Sequence, residues 1–355
     1  MKKKVLILGG TGAMGKSLVK ILEDTSYIVD VTSRKFQRSY SNIHYIQGNA
    51  RDEKFLNQLL KNDYECIIDF MVYSTKEFSS KVDLFLNSTK QYVFLSSSRV
   101  YANSEKPITE DSPRLLDVCH DEDYLKTDEY ALAKARQENL LINHDNNNYT
   151  ILRPYITYND NRLQLGILEK EYWLDRALNN KTIVFSKDIS QYYTTLTYGY
   201  DVAYLMSKLI LNDNALGEIF HITCSEHIKW EEILNIYLDE LKKHKIYPKV
   251  KILDDSSIVD KRLGKHYQVY YDRLYNRIFD NTKILKATEC ENYEFKSIDQ
   301  GLRMSLDSFI NNHLLFNNKN YKIEALLDKI CKENLNVMQI KSLKEKIKYI
   351  IFRYI

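Results

Sequence analysis

Residues 5–15 read Val5-Leu6-Ile7-Leu8-Gly9-Gly10-Thr11-Gly12-Ala13-Met14-Gly15, and this stretch decides the fold. Its four apolar residues predict a strand that is buried on both faces of a parallel sheet. The glycines permit a tight turn, close approach of the backbone to a pyrophosphate, and packing of the following helix on the strand. A helix N-terminus there favours negative charge. The predicted phosphate contacts are Gly9, Thr11, Gly12, Ala13, Met14 and Gly15.

The end of the second predicted strand carries the signal for the type of dinucleotide. Residues 27–32 form this strand, and Ser33-Arg34-Lys35 follow it. An acidic residue here would accept hydrogen bonds from the adenosine ribose and repel a 2′-phosphate. Asp30 lies three residues too early, whereas an arginine can bind a phosphate through two hydrogen bonds. Ser33 and Arg34 therefore predict NADP, with NAD as the alternative and a solvated cationic turn as the non-functional interpretation.

Strands and helices alternate to about residue 155, which predicts an α/β fold with a Rossmann-type doubly wound parallel sheet. Ligands of such sheets bind beyond the carboxyl ends of the strands. We predict a nucleotide-binding domain over residues 1–160, which a strand near 215–223 rejoins. A smaller substrate lobe is predicted over 161–315, and a helical basic tail over 316–355.

Composition excludes several classes of function. The 355 residues include 51 basic and 48 acidic side chains, a net charge of +3 without a basic face, so no nucleic-acid partner is predicted. Five cysteines lie far apart, with neither metal-ligand nor disulfide spacing, which favours a reducing compartment and no metal. We see no leader before the first strand and no apolar run of about 18 residues. A cytoplasmic protein is expected.

A hydroxyl, a phenol and an ammonium group follow in a fixed order. Ser96-Ser97-Ser98 end the fifth predicted strand, and Tyr130 and Lys134 lie one helical turn apart. A carbinol that loses a hydride must also lose its hydroxyl proton, and a phenol of pKa about 10 is a poor base at pH 7. The charge of Lys134 would favour tyrosinate, while Ser97 would hold the substrate oxygen. These residues predict nicotinamide-dependent chemistry at a carbinol or carbonyl carbon.

With these motifs the chain resembles the extended short-chain dehydrogenases/reductases of the NAD-dependent epimerase/dehydratase family, whose members mostly act on nucleotide sugars. The resemblance covers roughly residues 3–312 and includes LSSSRVY at 95–101 and a strand that ends in Arg153-Pro154. It implies Ser97 as the catalytic serine, Tyr130 as the acid/base and Lys134 as its partner. The cofactor contacts that it implies are Asn49 and Ala50 at the adenine, Phe70 and Met71 beside the cofactor, and Tyr155 and Ile156 near the nicotinamide. Tyr130 and Lys134 are implied as cofactor contacts as well.

Three features depart from that family. The crossover helix before the fifth strand is short, roughly residues 75–86, where relatives build a dimer interface, so a homodimer is left open. Ser98-Arg99 stand where dehydratases carry Asp-Glu, so elimination of water is not expected. Threonine replaces the arginine that holds the diphosphate of a nucleotide sugar, within residues 193–201.

The resemblance implies NAD(P)-dependent oxidation of a sugar hydroxyl, and re-reduction on the opposite face would give a net epimerase. Its substrate would be a nucleotide-activated sugar. An NADPH-dependent reductase of a keto-sugar or another small carbonyl compound is the alternative. A cofactor-sensing or RNA-binding relative that does no chemistry is a second alternative.

The basic tail ends in KSLKEKIKYIIFRYI, residues 341–355, with five cations and one acid. The apolar residues at helical spacing are Leu343, Ile347, Ile350, Ile351 and Ile355. A surface helix of this kind predicts binding to an anionic membrane or to a membrane-bound glycosyltransferase partner. Packing against its own domain or a second subunit is the alternative interpretation.

Overall fold

A computed structural model describes residues 2–316 and 319–354, without the side chain of Ala13. The chain divides into two compact units. The first unit runs to Thr157 and also takes 195–226 and 278–296; the second unit contains 158–194, 227–277 and the chain from Ser297 onward. The substrate lobe predicted over 161–315 is therefore interrupted twice, because two of its segments return to the first unit.

The strands follow one another in chain order as β1 (Lys4–Leu8), β2 (Ile28–Ser33), β3 (Ile43–Gln47), β4 (Cys66–Asp69), β5 (Gln91–Leu95), β6 (Tyr149–Pro154), β7 (Ile156–Tyr158), β8 (Gln164–Leu165), β9 (Leu168–Glu169), β10 (Ile183–Ser186), β11 (Tyr193–Thr194), β12 (Leu196–Tyr198), β13 (Glu218–Ile222), β14 (Ile228–Lys229) and β15 (Val250–Leu253). Within the described chain, seven of them form a parallel sheet in the order β13-β6-β5-β4-β1-β2-β3. This is the predicted doubly wound sheet, and its order reverses between β1 and β4, where such sheets bind ligands.

The α-helices are α1 (Ala13–Leu22), α2 (Glu53–Leu59), α3 (Thr75–Ser79), α4 (Val82–Asn87), α5 (Leu115–Val118), α6 (Glu122–Leu125), α7 (Tyr130–Ile142), α8 (Lys170–Leu178), α9 (Lys187–Ser190), α10 (Gly199–Lys208), α11 (Trp230–Lys243), α12 (Ser257–Leu263), α13 (His266–Gln268), α14 (Thr282–Ala287), α15 (Ile298–Asn311), α16 (Tyr321–Cys331) and α17 (Leu343–Tyr354). Shorter 3₁₀ helices span Leu60–Asn62, Ser98–Val100, Asp213–Ala215 and Val337–Gln339, and a π-helix spans Val269–Arg273. Among the described residues, no helix is both long enough and apolar enough to cross a bilayer.

Side-chain alternation along β1 explains its unbroken apolar sequence. Val5 and Ile7 pack with α1 and α10 on one face of the sheet, whereas Leu6 and Leu8 pack with α2, α3 and α4 on the other. A parallel strand that is covered by helices on both faces has no solvent-facing position for a polar side chain. The carboxyl end of β1 is therefore packed on both faces where the glycine turn begins.

The crossover between β4 and β5 contains two short helices instead of the single helix predicted over about 75–86. Ser74 and Glu77 form a capping box that starts α3, and α4 begins after Lys81. The hydroxyl of Ser80 donates to the carbonyl of Glu77 at 3.0 Å, a local bond that competes with helix continuation. Phe78 and Phe85, one from each helix, are both fully buried against the sheet.

The C-terminal helices belong to the second unit through a buried group of charges. Arg176 of α8 is fully buried, and its guanidinium meets Glu324 at 3.0 Å, Asp328 at 2.8 Å and Glu333 at 2.6 Å. Lys181 adds a contact of 2.8 Å to Asp328. Because these carboxylates neutralise a cation of the lobe, α16 is an integral part of the second unit.

Candidate active site

The glycine turn after β1 forms an open cradle at the N-terminus of α1. Gly9 has φ of +73°, and its N–H donates to Thr32 Oγ1 at 3.0 Å. Gly12 is the N-cap of α1, with no side-chain cap and no acid in the first turn. A Cβ on Gly12 would meet no atom within 4 Å, whereas one on Gly15 would lie 2.6 Å from the Gly10 backbone. The turn thus offers space and unpaired helix N–H groups, which fit a pyrophosphate.

The remaining residues predicted for this turn differ in their accessibility. Thr11 is exposed and Met14 is half-buried. Ala13 begins α1, but its side chain lies outside the described residues. Met71, which follows β4, approaches from the other side, since its Sδ would lie 2.9 Å from a Cβ on Gly9. Met71 and its half-buried neighbour Phe70 therefore border the predicted cofactor position.

The end of β2 presents no carboxylate. Asp30 accepts a hydrogen bond of 2.6 Å from the Tyr64 hydroxyl and lies 3.2 Å from His44 Nδ1, so it is engaged away from the end of the strand. Ser33 is buried and its Oγ accepts from the Lys35 N–H at 3.3 Å. Arg34 is exposed just beyond the strand. This arrangement leaves a cation at the place where NAD-specific sheets carry an acid.

The predicted adenine contacts follow β3. Asn49 is exposed, and its Oδ1 accepts from the backbone N–H of Arg51 at 3.2 Å. Ala50 is buried in the core on the face of the sheet that α2, α3 and α4 cover. Both lie at the carboxyl edge of the sheet, as do the glycine turn and Met71, because the strands are parallel.

Of the three serines after β5, two donate their hydroxyl protons to partners within the protein. Ser96 Oγ donates to Glu138 Oε1 at 2.5 Å, and Ser98 Oγ donates to the Arg153 carbonyl at 2.6 Å. Ser97 is the N-cap of the following 3₁₀ helix, and its Oγ accepts from the Arg99 N–H at 3.2 Å. That bond leaves the hydroxyl proton of Ser97 available to donate to another oxygen.

Tyr130 and Lys134 lie on the first two turns of α7, which pack against the end of β5. Lys134 is buried, its Nζ donates to the Leu95 carbonyl at 2.7 Å, and it lies 4.4 Å from the centre of the Phe94 ring. The guanidinium of Arg99 lies 5.4 Å from the centre of the Tyr130 ring. These contacts bring the start of α7 to the segment that carries Ser97. Tyr130 itself is about one-third exposed, so a substrate can reach it.

The ionisation of two buried groups is shifted by their surroundings. Burial lowers the pKa of Lys134 from its ordinary 10.5 to about 8, although the charges of Asp69 and Glu138 oppose the shift. Burial also raises the pKa of Asp69 to about 6. Asp69 ends β4 and accepts hydrogen bonds of 2.8 Å from both the Met71 N–H and the Tyr92 hydroxyl. Lys134 therefore remains mostly protonated at pH 7.

A buried ion pair behind the site was missed in the sequence. Glu138 lies two helical turns beyond Tyr130, and its carboxylate accepts two hydrogen bonds of 2.8 Å from Arg153 at the end of β6. Ser96 donates to the same carboxylate, and Arg114 contacts it at 3.2 Å. A glutamate in a helix is usually exposed to solvent, so its burial is not expected from the sequence. Only its spacing from Tyr130 and Lys134, which places it on the same side of α7, pointed to the site. This group fixes α7 to β5 and β6 at once.

The predicted nicotinamide contacts follow β6. Tyr155 is buried and its ring centre lies 5.4 Å from that of Phe279. Ile156 is buried at the start of β7.

In the second unit, Glu240, His244 and Asp307 bring their ligand atoms within 4.8 Å of one another, but Lys243 already contacts Glu240 at 2.6 Å. We therefore assign no metal to those three residues.

No family model and no curated protein matches this sequence. Solved structures do match. The dTDP-glucose 4,6-dehydratase of Bacillus anthracis, in complex with NAD, has a TM-score of 0.66 and 16% identity over 88% of this chain and 97% of its own. The UDP-glucuronic acid 4-epimerase of Bacillus cereus, in complex with UDP-glucuronic acid and NAD, gives 0.64 and 17% over 88% and 100%. WbmH of Bordetella bronchiseptica, in complex with NAD+, gives 0.65 and 14% over 88% and 99%. The chain shares the fold of these proteins.

Proposed function

We propose that this chain is an enzyme of the extended short-chain dehydrogenase/reductase type that uses a nicotinamide cofactor on a hydroxyl or keto group of a nucleotide-activated sugar. The proposal rests mainly on one observation: the candidate cofactor site and the candidate catalytic residues lie at the same edge of the sheet. The open glycine cradle after β1 and the Ser97, Tyr130 and Lys134 side chains after β5 all belong to the carboxyl edge of one parallel sheet. Fold neighbours that bind NAD and UDP-glucuronic acid support the same cofactor and substrate class.

The cradle fits a dinucleotide. Its pyrophosphate would lie against Gly12 and the free N–H groups of α1, where a side chain at position 12 would intrude. Arg34 supports NADP, since its guanidinium can pair with a 2′-phosphate and Asp30 is engaged by Tyr64 and His44. NAD remains the alternative cofactor, in line with the NAD complexes of the fold neighbours.

The bound nicotinamide would accept or supply a hydride. Tyr130 would take the proton of the substrate hydroxyl during oxidation and return it during reduction. Lys134 would lower the cost of forming tyrosinate, because its ammonium is buried one turn away and its charge is weakly screened. Ser97 would donate a hydrogen bond to the substrate oxygen and hold it near Tyr130. A carbonyl carbon is the product of the oxidative direction.

The residues after Ser97 favour redox chemistry over elimination. Elimination of water needs a carboxylic acid beside the substrate, and this chain has Ser98 and Arg99 at the corresponding positions. Ser98 is bound to the Arg153 carbonyl, and Arg99 pairs with Glu129 at 2.6 Å. We therefore favour an epimerase, with an NADPH-dependent ketoreductase as the second candidate because of Arg34. A non-catalytic sensor has no use for a complete Ser97, Tyr130 and Lys134 set.

Replacement of Tyr130 by phenylalanine tests the proposal. The Tyr130→Phe variant should bind the nicotinamide nucleotide as the wild type does, yet lose about 100-fold or more in turnover, since it lacks the proton acceptor. Over a panel of nucleotide sugars and keto-sugars, epimerase turnover is followed by chromatographic separation of the two sugar epimers, and reductase turnover by nicotinamide absorbance. Tyr200→Phe, at a comparably exposed tyrosine, is the matched control and should retain full activity. Equal turnover in Tyr130→Phe and wild type would contradict the catalytic role of Tyr130. The absence of any nicotinamide binding would contradict the proposed function as a whole.

Native mass spectrometry separates the two candidate activities. An epimerase keeps its cofactor through both half-reactions, so freshly purified protein should release a nucleotide only on unfolding. A ketoreductase exchanges its cofactor in every cycle, so purified protein should be empty and should then bind NADPH more tightly than NADH. Tightly held NAD would support the epimerase and contradict the role given to Arg34.

A further inference from the structure

Helix α17 turns its apolar side away from the protein. Five apolar side chains between 43% and 72% exposed lie along it: Leu343, Ile347, Ile350, Ile351 and Tyr354. At 3.6 residues per turn they fall within an arc of about 100°. We name these five residues the outer stripe. Ile355, which the sequence pattern also includes, lies outside the described residues.

The opposite side of α17 holds the helix in the second unit. Tyr349 is buried with Ala325 and Ile340, and its hydroxyl donates to Asp328 at 2.6 Å. Phe352 packs beside them. The helix is thus anchored by one face while the outer stripe remains in solvent. Packing on its own domain, one alternative for the predicted stripe, does not cover these side chains in the part of the chain that the structure describes.

Cations border the outer stripe on both of its edges. By helical spacing, Lys344 and Lys348 lie along one edge, and Lys346 and Arg353 lie along the other. The single acid of the helix, Glu345, is already paired with Lys348 at 2.5 Å. Long basic side chains at the edges of an apolar stripe can reach phosphate groups while their stems lie on apolar surface.

A small cationic cavity adjoins the outer stripe. It has a volume of about 230 Å³ and is lined by Arg262, Leu326, Lys329, Ile351 and Phe352, with no carboxylate among the described lining residues. Arg262 lies 5.6 Å from the centre of the Phe352 ring. Ile351 belongs both to the cavity and to the outer stripe, so an anionic group in the cavity would lie directly beside the apolar surface.

We propose that the outer stripe of α17 docks on an anionic lipid surface, with the bordering cations and the Arg262–Lys329 cavity facing lipid phosphates. Helix α17 matches such a surface in both polarity and charge. Helices that lie in a membrane interface insert an apolar face among the lipids, and their bordering basic residues contact anionic headgroups. A second copy of this chain fits less well, since a symmetric contact through the stripe would set the basic edges of two helices against each other. The proposal is independent of the proposed catalytic activity.

Vesicle flotation of the full chain tests the proposal. The wild type should float with vesicles of equal parts phosphatidylcholine and phosphatidylglycerol, remain in solution with phosphatidylcholine alone, and release in high salt. The double variant I347S/I351S should lower the partition coefficient about tenfold or more, because it removes apolar side chains that insert. The double variant K344S/K346S should lower it about 30-fold on the anionic vesicles.

The matched control changes isoleucines that lie elsewhere. Ile142 and Ile252 are exposed to a similar degree, so I142S/I252S makes the same chemical change outside the stripe and should float as the wild type does. Circular dichroism and nicotinamide binding should be unchanged in all three variants, since none of these side chains is buried. Equal flotation of I347S/I351S and the control would overturn the proposal, and so would a wild type that ignores anionic vesicles. If the wild type forms dimers without lipid and I347S/I351S is monomeric, the outer stripe is instead an interface between two copies of this chain, and the lipid proposal is wrong.

Discussion

Glu138 provides a sharp test of how the candidate site is held together. Its carboxylate is fully buried and binds the Arg153 guanidinium through two hydrogen bonds, while Ser96 and Arg114 occupy its remaining acceptor positions. Glu138→Gln keeps the shape of the side chain but removes its charge. The buried cation of Arg153 would then lose its main counter-charge, and one amide N–H of the new side chain would face a donor.

The expected cost follows from the burial of both partners. Removing one member of a buried ion pair costs about 3–5 kcal/mol, because the other charge is left uncompensated. In a domain of about 150–250 residues, each kcal/mol lowers Tm by about 2–4 °C. We therefore expect the Tm of Glu138→Gln to fall by about 10 °C. Turnover should fall as well, since α7 carries Tyr130 and Lys134.

Thermal melts followed by circular dichroism at pH 7 measure this effect. Glu122→Gln is the matched control, because the Glu122 side chain is 86% exposed and its ion pair with Lys126 spans 3.7 Å. Such a surface pair contributes less than about 1 kcal/mol. In a double-mutant cycle with Arg153→Met, the combined loss should be clearly smaller than the sum of the single losses. A Tm for Glu138→Gln within about 3 °C of the wild type would refute the reasoning.

Three further predictions concern the glycine cradle, Arg34 and Lys134. Gly12→Val should retain the wild-type Tm, since its Cβ meets no protein atom, but should weaken nicotinamide-nucleotide binding by about 100-fold. Gly15→Ala should instead lower the Tm, because its Cβ meets the Gly10 backbone. Arg34→Ala should weaken NADPH binding by about tenfold and leave NADH binding unchanged. Because the pKa of Lys134 is about 8 when folded and 10.5 in its ordinary state, the unfolded chain binds more protons between these values, so stability rises with pH there. Relative to Lys134→Met, the wild type should gain about 1 kcal/mol of unfolding free energy from pH 7 to 9.

Each of these predictions has an outcome that contradicts it. For the cradle it is a Gly12→Val protein with unchanged affinity in calorimetry, or one that melts early. For Arg34 it is equal weakening toward both dinucleotides, which would indicate a general rather than a 2′-phosphate contact. For Lys134, urea titrations at each pH give the unfolding free energy of the wild type and of Lys134→Met. The prediction is contradicted if the wild type gains no stability relative to the variant between pH 7 and pH 9, or loses some.

The central sheet could be predicted from the sequence because its strands are continuous apolar runs between turn residues. The predicted fifth strand, 91–95, agrees with β5, and the rejoining strand near 215–223 agrees with β13. The course of the chain through the second unit could not be predicted. Strands such as β8 and β11 contain two residues each, too few to show a period, so the points near residues 194 and 226 where the chain passes between the units left no pattern.

The candidate site was predictable where a motif has a fixed spacing and not where it depends on packing. Tyr130 and Lys134 could be placed on one helical face from their spacing alone. The Lys134 contact with the Leu95 carbonyl and the capture of Asp30 by Tyr64 depend on neighbours that are distant in sequence. The outer stripe shows the same limit, because helical spacing predicts an apolar face but cannot say whether that face lies inside the protein.

Arg176 joins α16 and the residues just after it to the body of the second unit. The carboxylates that neutralise its guanidinium, Glu324, Asp328 and Glu333, all come from the segment after Asn320. Cutting the chain before that segment would remove all three carboxylates and leave the Arg176 guanidinium without these partners. Arg176 and the segment after Asn320 therefore depend on each other for charge balance. A related chain that stops near residue 312 should carry an uncharged side chain in place of Arg176.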